Sequence, residues 1–132
     1  MSTEGVDGSV YGAVGGRSFF VDLVDGFYAG VGTDQLLRPL YPDDLTEPRR
    51  HLTGFLVQYW GGPSAYSEER GHPRLRMRHA PFAIGHAERD AWLRHMLGSL
   101  DEVAADHGTP MQAVARIRAY LTDVADFLVN TG

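Results

Sequence analysis

His72-Pro73-Arg74-Leu75-Arg76-Met77-Arg78-His79-Ala80-Pro81-Phe82 is the stretch on which the reading of this chain turns. Three arginines alternate with apolar residues and lead into a histidine, and a proline follows two positions later. An imidazole binds a metal through one ring nitrogen. Guanidinium groups bind carboxylates or phosphates, often through two parallel hydrogen bonds. A short segment holding both suits a ligand with a metal at its centre and acids at its edge. Taken alone, such an arginine run also reads as an ordinary solvated face. Its weight comes from Tyr59-Trp60-Gly61-Gly62-Pro63 just before it and Glu88-Arg89-Asp90-Ala91-Trp92 just after it.

At 132 residues the chain is long enough for one domain with a real core. Residues 1–9, rich in Gly and polar groups, read as a disordered tail, and 10–132 as the domain. A net charge of −5 argues against a general nucleic-acid binder. The absence of Cys excludes disulfides, zinc–thiolate sites and thiolate metal ligands. The N-terminal residues lack a basic, apolar signal pattern, and no apolar run is long enough to span a bilayer, so a cytoplasmic location is expected.

Apolar periodicity predicts an all-α fold. Val10, Tyr11 and Val14 suggest a helical turn stopped by Gly15-Gly16. Phe20, Leu23, Val24, Phe27, Tyr28 and Val31 recur at three- and four-residue spacing, one face of a helix that Gly32 ends. Asp34 can cap a short helix through Leu40. Thr46 is the expected N-cap of the next helix, with Pro48 in its first turn and Leu52, Phe55, Leu56, Tyr59 and Trp60 on its apolar face. Residues 61–72 read as loop and Arg74–His79 as a short helix. A long helix from Ala87 to about Asp106 carries Leu93, Met96, Leu97, Leu100 and Val103. Thr109-Pro110-Met111-Gln112 has capping-box spacing before a last helix with Val114, Ile117, Leu121, Val124 and Leu128. No segment alternates with period two for long enough to be a strand.

Taken together, these motifs resemble the group II truncated haemoglobins. The resemblance covers about residues 10–130 and is carried by Val14-Gly15-Gly16, Phe27-Tyr28, Leu40-Tyr41-Pro42, Gln58-Tyr59-Trp60-Gly61-Gly62-Pro63, Tyr66-Ser67-Glu68, Arg70 to Phe82, and Glu88 to Trp92. Each is weak alone; their order and spacing make the signal specific. The resemblance implies a globin-like two-over-two helical sandwich around haem b. Without Cys, that haem is held non-covalently.

By the same resemblance His79 is the iron ligand. Its chemistry alone would leave it a surface residue between Arg78 and Ala80. His72, His86, His95 and His107 sit at helix ends or in polar company and need no role. Tyr28, Tyr41 and Trp92 are implied to converge on the distal side, where their O–H and N–H donors would stabilise bound dioxygen. Leu52, Phe55 and Leu56 would form apolar walls, with Phe82, Met96 and Leu121 as further wall candidates. Arg78, then Arg74 and Tyr66, would meet the haem acids, and His51 stands where relatives tend to carry Arg. Pro48 falls where the family usually has Ala, Ser or Thr, so polar contact to a ligand would rest on Tyr28, Tyr41 and Trp92. No residue is singled out as catalytic.

The function implied is reversible binding of dioxygen and other diatomic gases at a histidine-ligated iron, with redox chemistry on the bound ligand. The alternatives are a haem enzyme for nitric oxide dioxygenation or peroxide turnover, and a gas-sensing or interaction module. Dioxygen, nitric oxide and carbon monoxide are the implied ligands, with peroxide and sulfide as further candidates, a reductase as electron donor, and a homodimer as a further option.

Overall fold

Burial explains why a segment with glycines inside it folds as a helix. In Arg17–Gly32 the glycines at 26, 30 and 32 cost about 1 kcal/mol each relative to Ala. Seven side chains of the same helix, Phe19, Phe20, Leu23, Val24, Phe27, Tyr28 and Val31, are buried. At roughly 1.5–3 kcal/mol per large apolar side chain, that burial outweighs the glycine cost several-fold.

The computed structural model describes residues 9–61 and 84–129. These form α1 (Val10–Ala13), α2 (Arg17–Gly32), a short 3-10 helix (Arg38–Leu40), α3 (Thr46–Tyr59), α4 (His86–His107) and α5 (Met111–Leu128), with no strand among the described residues. The stretch His72 to Phe82, with the helix expected over Arg74–His79, lies outside the described residues, as do Tyr66 and residues 1–8 of the expected tail.

Helix α2 is the centre of the fold and packs on both α3 and α4, while α4 also packs on α5. The α1–α2 turn uses Gly15 and Gly16 at φ 94° and 92°, backbone that side chains disfavour. Ser9 caps α1 through Gly12 N–H at 3.0 Å, and Tyr11 N–H donates to the Trp60 carbonyl at 2.9 Å, tying α1 to the end of α3. Helix α4 ends at Gly108 (φ 63°), where Thr109 N–H reaches the Ala104 carbonyl and Gly108 N–H the Ala105 carbonyl.

Two caps differ from the sequence expectation. Thr46 is the first residue of α3 rather than its cap, and the Asp44 carboxylate accepts its N–H at 2.9 Å. Pro48 lies in that first turn, where a missing N–H costs nothing. Thr109 forms no capping box; α5 starts at Met111, and the Thr109 hydroxyl is buried without a partner among the described residues. A carboxylate does cap the start of α4, where Glu88 accepts the Gly85 N–H at 2.9 Å. Phe55, Leu56 and Trp60 are buried as expected, together with Thr53 and Val57, but Tyr59, expected on the same face, is 51 % exposed.

The α2–α4 contact is a seam of small residues. A Cβ on Gly26 would stand 2.2 Å from Ser99 Oγ, and one on Gly30 2.3 Å from His95 Nδ1. Ser99 is buried and its hydroxyl donates to the Leu23 carbonyl at 2.8 Å. Pairs close the seam at both ends: His107 Nε2 to Asp22 at 2.9 Å, and His95 Nε2 to Asp34 at 2.7 Å.

Candidate functional site

Large aromatic and aliphatic side chains of α2, α3, α4 and α5 do not close on one another but surround a cavity of about 420 Å³. Its walls include Phe27 and Tyr28 from α2, Leu52, Phe55 and Leu56 from α3, Trp92 from α4, and Tyr120 and Leu121 from α5. Leu37, Leu40 and Tyr41 enter from the segment between α2 and α3. The volume falls within the roughly 300–1,000 Å³ typical of cofactor sites, which are mostly apolar with a few placed polar groups.

Three polar aromatics gather on one side. The Tyr28 and Tyr41 rings meet edge to face at 5.5 Å, and Phe27 bridges Tyr28 and Trp92 with centroid distances of 4.9 and 5.5 Å. The Trp92 indole stands beside the Tyr41 hydroxyl, and both side chains line the cavity. Burial pushes the Tyr41 phenol up to about 12, and Trp92 offsets part of that rise. Burial raises Tyr28 further above the ordinary phenol range, with Tyr41 adding and Arg49 opposing. Both phenols are therefore neutral donors at physiological pH.

Charged groups border the cavity. His51 lines it and lies 3.3 Å from Glu47. Arg89 also lines it, with its guanidinium on Asp90 at 2.7 Å and on Asp126 of α5. An apolar slot with donors on one side and cations at its border matches the chemistry of a flat aromatic ring bearing acid groups.

The structure thus brings together Tyr28, Tyr41, Trp92, Leu52, Phe55, Leu56 and His51 around one cavity. Met96 is not among its walls; it is fully buried in the core alongside Leu100. His79, Arg78, Arg74, Tyr66 and Phe82 lie outside the described residues. The sequence reading did not include Phe27, Leu37, Ile84, Arg89 or Tyr120 in the site. For Phe27 a signal existed, since it adjoins Tyr28 on the same apolar helix face.

His95 and His107, given no role from sequence, pair with Asp34 and Asp22. The His95 hydrogen bond is the largest cause holding the Asp34 carboxyl below the usual range.

The bacterial-like globin family profile matches residues 9–125. The chain is 47% identical over 91 residues to the group 2 truncated hemoglobin YjbI of Bacillus subtilis, covering 69% of each chain. A crystal structure of hemoglobin from Chloroflexus aurantiacus superposes with a TM-score of 0.88 at 49% identity, covering 93% of this chain and 98% of that one. The group II truncated hemoglobin from Bacillus anthracis superposes with a TM-score of 0.84 at 40% identity, covering 94% and 98%.

Proposed function

The chain belongs to the bacterial-like globin family, in its group II truncated branch, and from that premise we propose how its own residues hold haem and a gas. It is a haem b globin that binds dioxygen. Haem iron supplies the coordination position at which a diatomic gas binds. The protein would supply an apolar slot, an iron ligand and donors placed before the gas arrives.

In this proposal His79 would ligate the iron, and Arg74 and Arg78 of the same sequence segment would pair with the haem acids. Phe55, Leu56 and Leu121, which line the cavity, would hold the ring in an apolar, water-poor environment. His51, on the cavity border, would bond one acid group. Tyr28, Tyr41 and Trp92 form the polar side of the gas pocket. The observation that carries this reading is their convergence on one cavity, with the phenols held protonated by burial. Pro48 lines the same cavity and has no N–H, so the first turn of α3 offers no donor at that position, and Tyr28, Tyr41 and Trp92 would supply the hydrogen bonds to the gas. A hydrogen bond nets roughly 0.5–1.5 kcal/mol, so two or three of them slow gas release by about one to three orders of magnitude.

One experiment tests the assignment. The purified protein is loaded with haem, and visible spectra are taken in ferric, ferrous and carbon monoxide forms for the parent and for His79→Gly. Expected are globin spectra in the parent, weak haem retention in the variant, and recovery on adding imidazole. Unchanged spectra in His79→Gly would remove His79 from the iron.

A further inference from the structure

The segment that delivers Tyr41 to the cavity is anchored by Leu37 in the core and by Leu40 and Tyr41 packed against it, and a polar link adds a further hold. Between α2 and α3, of residues 34–44, only Leu37 is fully buried. Its first residue, Asp34, accepts the N–H groups of Leu36 at 2.8 Å and Leu37 at 3.2 Å. The same carboxylate meets His95 Nε2 at 2.7 Å and Arg94 Nη2 at 3.2 Å, both on α4. Seven residues later Tyr41 meets Trp92, also on α4 and three positions before His95. Residues three apart lie on neighbouring positions of one helix face. The segment is therefore bonded to α4 through Asp34 and His95, and it places Tyr41 beside Trp92 of the same helix on the cavity wall.

We propose that His95 is a positioning residue for gas binding: through Asp34 it holds the segment that aims the Tyr41 hydroxyl at Trp92 and the ligand. This rests on the haem-globin reading above. The His95 ring is itself fixed, because it lies against Gly30, where a Cβ would be only 2.3 Å from its Nδ1. Half-buried at 20% exposure, it is held more rigidly than the 66%-exposed Arg94, so His95 is the directional partner of Asp34. An error of an ångström in Asp34 is carried along the seven residues to Tyr41, because its carboxylate also shapes the turn at Leu36 and Leu37. His95 is not among the residues lining the cavity, and in this role it acts through Asp34 and Tyr41.

The test is a double-mutant cycle on the haem-loaded protein, read by stopped-flow dissociation of dioxygen and of carbon monoxide. His95→Leu is expected to speed dioxygen release by about three- to tenfold, as for loss of one aimed hydrogen bond, and carbon monoxide release less. His95→Gln, which keeps a donor, is expected to restore most of the parent rate. In a Tyr41→Phe background His95→Leu is expected to add nothing, because its route to the ligand is gone. The second readout is the Trp92 indole N–H resonance, assigned by Trp92→Phe and followed in haem-free and haem-loaded protein. His95→Leu is expected to shift it and quicken its solvent exchange. Full additivity with Tyr41→Phe, or an unmoved indole resonance, would overturn the proposal. Should His95→Leu not fold, Asp34→Asn tests the same link with a milder change, and an unmoved indole resonance there overturns it equally. If the parent takes up no haem, the globin reading fails at the spectrum, and the indole resonance of the haem-free chain still decides the positioning role.

Discussion

Neighbouring residues of α2 serve two contacts built on opposite rules. Gly26 and Gly30 meet Ser99 and His95 of α4, with too little room for a methyl group. Phe27 and Tyr28, next to them in sequence, carry large rings to a cavity of about 420 Å³. At the seam, small residues let backbones approach and polar side chains find partners: Ser99 on the Leu23 carbonyl, His95 on Asp34. At the cavity, big side chains hold the helices apart and polar atoms are few. One helix can do both because 3.6 residues per turn place positions 26 and 30 on one stripe and 27 and 28 beside it. Close packing on one stripe therefore gives the other a rigid wall.

The largest expected effect comes from breaking the seam. Gly26→Val should destabilise the protein by about 3 kcal/mol, as overpacking against Ser99 forces α2 and α4 apart. Denaturant unfolding measures it. A double variant, Gly26→Ala with Ser99→Gly, should return most of the stability. If Gly26→Val melts like the parent, the seam is not a close contact.

A smaller effect distinguishes the dry cavity. Burial keeps Tyr41 protonated up to about pH 12 in the folded protein, while an unfolded phenol ionises near 10. Between those values the native chain holds a proton that the unfolded chain has lost. The stabilisation is full below about pH 10 and disappears as pH rises toward 12. Over that interval Tyr41 accounts for at most about 3 kcal/mol. Tyr41→Phe should flatten this alkaline decline in urea titrations at pH 9 to 12. An identical decline in the variant would mean that Tyr41 is wetter than its neighbours suggest.

Arg94→Ala should give the smallest change. Its guanidinium is two-thirds exposed, and exposed pairs contribute close to nothing. A melting temperature within experimental scatter of the parent would leave His95 as the partner that closes the seam. A large drop would move that role to Arg94.

What was legible in the sequence followed from local pattern. The α2 periodicity from Phe20 to Val31 and the Gly15-Gly16 turn needed only neighbouring residues. The caps at Thr46 and Thr109 were misplaced because a hydroxyl near a helix start does not say which residue leaves the helix. Asp44 holds the first cap, and Pro110 stands as the flanking residue at the second. Met96 has the same spacing as a cavity residue and turns into the core instead. His95 was illegible for a different reason: its partner Asp34 lies 61 positions away, and only the α2–α4 crossing brings them together. Arg89 and Tyr120 reach the cavity through the packing of α4 and α5, which no single segment encodes.

Between Asp34 and α3, Arg38 bends back over its own segment. Its guanidinium donates to the carbonyls of Tyr41 at 3.2 Å, Pro42 at 2.9 Å and Asp43 at 2.8 Å. All three acceptors are main-chain atoms, the same in every amino acid. The shape of this turn is thereby insulated from the side chains it displays. Pro42 and Asp43 are exposed and can be exchanged in descendants of this sequence without moving the tyrosine beside them. Variation at the pocket's outer lip is thereby decoupled from the geometry inside it, and the decoupling runs through the three main-chain bonds of one arginine.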